Sequence, residues 1–226
     1  MTQETAAMLA GIALELYALA DQEQTVQAVA EHARTAVRCD DVGILLVEGR
    51  SVETAAATSK TVRRADDIQR ELGEGPCLSS IERGEDYLIA DISRDTRWPR
   101  WAERALALGY RSMVSVRLAT YERVIGSINL FSRSAAAFDG ADESLAQVFA
   151  THASIAIAQA RQEENLHRAI DSRRLIGQAQ GILMERFDID ADRAFAVLDR
   201  YSQDHNVKLR TVAEQLVLTR RIPDAG

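Results

Sequence analysis

The chain has 226 residues, 46% of them hydrophobic and 27% charged, enough for one large domain, or a medium domain and a small one, around a sizeable core. Its formal charge of −7 argues against a protein that coats nucleic acid indiscriminately. The charge is uneven: residues 165–226 carry 10 Lys+Arg against 9 Asp+Glu, whereas residues 1–164 carry 17 against 25. An acidic body with an arginine-studded tail suits a sensor joined to a binding module.

The apolar start "MTQETAAMLAGIALELYALA" is interrupted by Glu4 and Glu15 and preceded by no basic segment, so it reads as a helix over Thr5–Leu19 and not as a signal peptide. A second helix follows over Gln24–Arg38, with Val26, Val29, Ala30, Ala33 and Val37 on one face. "DVGILLVEG" and "SVETAAATS" read as strands joined by a turn at Gly49-Arg50. "KTVRRADDIQREL" is a polar helical insertion, and "GEGPC" a loop leading into a short helix. "YLIAD" is a strand. "DTRWPRWAERALALG" gives a loop, a helix begun near Pro99 and a stop at Gly109. "SMVSVRLA" and "RVIGSINLFS" form a hairpin across "TYE". A long helix starts near Asp142, with Leu145, Val148, Phe149, His152, Ile155 and Ala156 expected on its buried side, and runs on toward Leu175. These elements imply an α+β fold with an antiparallel sheet, helices on one face and a ligand-sized pocket on the other.

The rest is helical. In the first of three short helices Leu175, Ile176, Ala179, Ile182, Leu183 and Phe187 fall on one side of the wheel. Gly177 and Gly181 fall opposite. The second helix has Asp190 as N-cap and Ala194, Phe195, Leu198 and Tyr201 inward. The third has Leu209, Val212, Ala213, Leu216 and Val217 inward and closes before Pro223. Each glycine costs a helix interior roughly 1 kcal/mol against alanine, and packing within this bundle does not explain them. Read from the residues alone, the bare strip either seats another helix, as G-x-x-x-G spacing can, or lets a nucleic acid lie flat on the backbone.

Cys39 and Cys77 are far apart and form no C-x-x-C pair, which points to neither a zinc site nor a disulfide framework. The four histidines have no ligand spacing, and no Ser-His-Asp or P-loop pattern is present. No run approaches the ~18 apolar residues that span a bilayer. The expectation is a cytoplasmic, non-enzymatic protein.

"IGQAQGILM", "AF..LDRYS" and "N.KLRTVAEQLV" together make the tail resemble an ANTAR domain, the RNA-binding module of transcription antitermination regulators. The family's usual lysine between Ala and Gly is Gln180 here. "GEGPC", "ADISRDTRWPRWAERALALGYRSMVSVRL", "VIGSINLFS" and "FDGADESLAQVFATHASIAIA" resemble, in that order, a GAF domain, a small-molecule-sensing fold. The pair implies a GAF sensor over residues 1–160 and a three-helix ANTAR domain over 161–226, joined by a continuous helical connector. It also implies a signal-responsive regulator that binds hairpins in nascent mRNA leaders and promotes antitermination. The RNA-binding residues expected from it are Arg173, Arg174, Gly177, Gln180, Gly181, Met184, Ser202, Asn206, Lys208 and Arg210. Cys77, Trp98 and Trp101 are the candidate lining of a pocket for an unidentified small molecule, with no cofactor or metal expected. A helix as long as the connector needs burial beyond its own domain, so a parallel homodimer through the GAF terminal helices and connector is expected. Two other classes are compatible with parts of the pattern: a DNA-binding regulator, whose last two helices would mimic a helix-turn-helix, and a GAF-type redox reductase. The third helix lacks a cluster of base-reading residues at its front, and two distant cysteines are too few for the reductase.

Overall fold

The computed structural model describes residues 11, 15, 21–121 and 123–221. Apart from Gly11 and Glu15, both helical, the helix expected over Thr5–Leu19 lies outside the described residues. The chain divides into two compact units, residues 1–162 and residues 163–226.

In the first unit the order is α1 (Gln22–Val37), β1 (Asp41–Glu48), β2 (Ser51–Ala57), α2 (Lys60–Leu72), α3 (Pro76–Arg83), β3 (Tyr87–Ile89), a 3-10 turn (Ile92–Arg94), α4 (Pro99–Ala107), β4 (Ser112–Ala119) and β5 (Val124–Ser132). The five strands make one sheet, ordered β2-β1-β5-β4-β3, with every neighbouring pair antiparallel. Hairpins supply β1–β2 and β4–β5, while β1 and β5 meet at the centre from opposite ends of the unit.

Local chemistry sets the helix ends. The Asp21 carboxylate accepts from the Glu23 N–H to begin α1, and the Ser59 hydroxyl accepts from the Val62 N–H to begin α2. Before α4 the cap comes from a distance. Glu74 Oε1, in the loop ahead of α3, accepts from the N–H groups of Arg100 at 2.8 Å and Trp101 at 3.2 Å, which also suits the positive end of the helix dipole.

Period-two alternation along β1 sends Val42, Ile44 and Leu46 to one side and Gly43 and Leu45 to the other. On the first side they meet α1 and the start of α5 (Gly140–Phe187), in a core that includes Val29, Ile128, Leu130, Phe149 and Ile157. On the second side Leu45, Met113 and Phe131 meet α2, α3 and α4 through Val62, Cys77, Trp101 and Ala105. Helices thus cover both faces, where the expectation put helices on one face and a ligand-sized pocket on the other. Each fully buried side chain of this size contributes about 1.5–3 kcal/mol.

The inward side of α5 agrees with expectation at Phe149, with Leu145 and Ala156 packed against the core, and differs from it elsewhere. Ala146, Phe149, Ala150, Ala153, Ile157 and Ala160 are buried, whereas Val148, His152 and Ile155 are exposed. Alanines let the helix axis approach the sheet closely on either side of Phe149 and Ile157, while Val148 and Ile155 face away.

The second unit holds the end of α5, α6 (Ala191–Asp204) and α7 (Leu209–Thr219). Its core is Ala179 and Leu183 from α5, Ala194 and Leu198 from α6, and Val212, Ala213 and Leu216 from α7. Phe187 and Phe195, expected inward, are 56% and 41% exposed. Alanines, leucines and one valine fill the space between the helices, and the two phenylalanines stay at the rim.

Candidate functional site

In the three-helix unit, the Asp190 carboxylate accepts from the Arg193 N–H at 2.8 Å and starts α6. Gln180 Nε2 donates to the Ala191 carbonyl at 3.0 Å, so this side chain ties α5 to the beginning of α6. The Ser202 hydroxyl donates to the Val207 carbonyl at 2.6 Å. Asn206 takes a left-handed conformation, φ +51°, which asparagine tolerates better than most residues. Ser202 and Asn206 therefore come together in shaping the α6–α7 turn. His205 stacks on Tyr201, ring centroids 4.0 Å apart.

Gly177 and Gly181 are exposed, and a Cβ built on either meets no described atom within 4 Å. Gly181 is not opposite the bundle. It borders a groove of roughly 600 Å³ between α5 and α7, lined with Gln178, Ile182, Glu185 and Arg186 from α5 and with Val217 and Arg220. Arg186 donates to the Arg220 carbonyl at 2.8 Å, joining the ends of these two helices. Sequence reasoning missed the groove residues. Their signal was the 3, 4, 7, 8 spacing from Gln178 to Arg186, which places them on one helical face.

Arg173, Arg174, Met184, Lys208 and Arg210 are all exposed. Arg174 pairs with Asp171 at 3.4 Å one turn away, a solvent-exposed contact worth little. Lys208 stands at the N-cap of α7, where its side chain makes no capping bond. Exposed cations beside a bare backbone can hold phosphates while bases approach the helix surface.

In the first unit Cys77, Trp98 and Trp101 join one interior cluster. The Cys77 backbone N–H donates to Gln69 Oε1 at 2.9 Å, and its sulfur accepts from Gln69 Nε2 at 2.6 Å. Burial, reinforced by nearby Asp66, pushes the Cys77 thiol well above its ordinary pKa, so it carries little thiolate character. Trp98 donates through Nε1 to the Ser79 hydroxyl at 2.9 Å and meets Tyr87 edge to face at 5.0 Å. The Arg97 guanidinium lies 4.6 Å from the Trp98 ring centroid and 5.2 Å from that of Tyr87.

Trp101 is fully buried with its indole N–H unpaired. The same holds for both carboxyl oxygens of Asp66, the hydroxyls of Ser80 and Ser127, and the amide nitrogen of Asn129. Each such atom costs about 1–3 kcal/mol when left without a partner. Burial raises the Asp66 carboxyl well above the usual carboxylate range, Asp67 adds to the effect, and Arg63 and Arg70 oppose it. Nothing in "RRADDIQ" distinguishes Asp66 from its neighbours as an interior residue.

A five-stranded sensor-type domain followed by a bundle with an exposed glycine strip defines a two-domain regulator architecture. Residues 20–158 match the GAF domain family and residues 164–217 the ANTAR domain family; the chain belongs to the GAF family and carries an ANTAR domain after it. No curated protein matches the chain. Among solved structures it is similar to the GAF domain of a phosphoenolpyruvate-protein phosphotransferase from Acinetobacter, at 19% identity over 72% of this chain and 97% of that one, TM-score 0.57. It is also similar to a free methionine-R-sulfoxide reductase from Neisseria meningitidis solved with its substrate, at 19% identity, 72% and 95% coverage, TM-score 0.56. The phosphotransferase GAF domain from Coxiella burnetii gives 18%, 71% and 96%, and 0.57. Likeness at this level establishes the fold. Among the described residues no helix is long and apolar enough to cross a membrane.

Proposed function

We propose that this chain is a signal-responsive RNA-binding regulator that engages hairpins in nascent mRNA leaders through its ANTAR domain and promotes transcription antitermination in the cytoplasm. The GAF domain controls that binding through a small molecule held in its interior. The observation that carries the reading is the pair of exposed, unobstructed glycines, Gly177 and Gly181, in a domain of the ANTAR family. Arg173, Arg174, Lys208 and Arg210 neutralise phosphates, Met184 offers an apolar contact, and Gln180, Ser202 and Asn206 shape the surface.

The regulator acts as a homodimer. Val148, Ile155, Leu166 and Ile170 are large apolar residues left exposed along α5. Val148 and Ile155 recur at a spacing of seven residues in the first unit, and Leu166 and Ile170 at a spacing of four in the second, spacings that a helix of 3.6 residues per turn keeps on one side. A second copy offers the same stripe in return.

The test is Gly181→Leu in the full chain. An added Cβ meets nothing at this position, and leucine is the better helix former by roughly 0.8 kcal/mol, so the fold is retained or strengthened. Binding to a hairpin RNA, followed by fluorescence anisotropy beside a duplex DNA of the same sequence, is expected to be abolished. Unchanged RNA affinity with an altered dimer would show that the strip seats a helix, and equal binding of both nucleic acids would favour a DNA regulator.

A further inference from the structure

The unpaired polar atoms of the first unit are concentrated on one face of the sheet. Gly43, Asn129 and Ser115 stand opposite one another across β1, β5 and β4, and directly opposed residues share a face. Ser127 lies two residues along β5 from Asn129, on the same face. The Ser115 hydroxyl donates to the Asn129 amide oxygen at 2.8 Å. That leaves the Asn129 N–H groups without a partner.

Asp66 reaches the same place from α2. A Cβ at Gly43 would collide with its carboxyl, so the carboxyl rests on the strand at the position paired with Asn129. A second glycine contact holds Gln69, because a Cβ at Gly75 would strike its side chain. Gln69 in turn fixes Cys77. Asp66, Ser80, Ser127, Asn129 and Trp101 each have no exposed surface.

A carboxyl beside an amide N–H is the complement of a molecular edge that carries an N–H donor next to a carbonyl oxygen. Among the buried polar residues of this region no lysine or arginine occurs, so an anion would find no countercharge. Arg63 and Arg70, which flank Asp66 on α2, are exposed.

We propose that this interior takes a small uncharged molecule with an amide-like edge, an amide, lactam or ureide. Its N–H donates to the Asp66 carboxyl, its C=O accepts from the Asn129 amide, and the Ser80 and Ser127 hydroxyls complete the shell. The assignment rests on the reading of the GAF domain as a small-molecule sensor and names the chemical class sensed.

The experiment uses the full chain, with thermal unfolding of the GAF domain followed through Trp98 and Trp101. Uracil and acetamide are the amide-edge probes, methylammonium and acetate the cation and anion controls, and a small-molecule cell extract runs in parallel. Uracil is expected to raise the melting temperature saturably by several degrees. Asp66→Asn, which keeps a donor and an acceptor, is expected to retain the response, and Asp66→Ala to lose it. A crystal structure of the unmutated chain grown with uracil is expected to place it on Asp66 and Asn129, whatever the variants do. Ordered waters alone at that place, or stabilisation by methylammonium and by neither amide probe, would overturn the proposal. An extract that stabilises the protein when neither amide probe does would overturn it while leaving the sensor reading standing. Silence from extract and probes together would remove both.

Discussion

Replacing Asp66 by asparagine should change how the stability of the GAF domain depends on pH. The carboxyl is fully buried with no hydrogen-bond partner, and desolvation raises its pKa well above 3.8. The native state keeps a proton that the unfolded chain releases above about pH 3.9. The unfolded state then binds fewer protons than the native one, so stability falls as pH rises, from the unfolded pKa up to the folded one. Within that window the slope is at most about 1.4 kcal/mol per pH unit. Asparagine carries no titrating proton. The variant should therefore gain on the parent by up to about 1.4 kcal/mol for each pH unit above roughly 4, and the difference should be constant below it. Asp91 and Asp95, whose pKa values are lowered chiefly by hydrogen bonds from Ser93 and Arg97, lose stability in the opposite direction, as pH falls. Both proteins share them, so they cancel. Urea unfolding from pH 4 to 7 measures the difference, and the chain's two tryptophans, Trp98 and Trp101, report on this domain. A difference that does not vary with pH would mean that Asp66 holds no extra proton in the native state.

Tyr110→Phe removes the hydroxyl that donates to Asp41 at 2.6 Å and should destabilise the GAF domain by about 1–3 kcal/mol, measured by the same urea unfolding. Arg173→Ala and Lys208→Ala should each weaken hairpin binding and lower the salt slope by about 1, since each removes one cation that displaces counterions; anisotropy titrations at several salt concentrations read this out. Leu166→Glu places a charge in the exposed stripe of α5 and should shift light scattering at micromolar concentration from dimer to monomer.

The order of strands and helices was legible because alternation, capping residues and glycine stops act locally. Asp190 announces α6, and "SMVSVRLA" announces β4. Which side of α5 faces the sheet was legible only in part: Phe149 is inward as expected, and Val148 and Ile155 are not. Val148 and Ile155 are more hydrophobic than Ala146 and Ala153, yet the alanines are buried, because close approach of the helix to the sheet governs the packing. Phe187 and Phe195 misled in the same way. Exposed positions such as Arg173 and Lys208 could be named from motif spacing, whereas the α5–α7 groove needed the third dimension. Asp66 was hidden for a further reason: its burial depends on Gly43, in another element and 23 residues earlier.

That dependence has an evolutionary consequence. An alanine at position 43 would evict the Asp66 carboxyl from its seat, and an apolar residue at position 66 would remove the need for a glycine at 43. Alanine at position 43 is therefore disfavoured while Asp66 stays, and the two changes together are compatible. Among relatives of this domain, glycine at the first position and a short acid at the second should be inherited or lost as a pair.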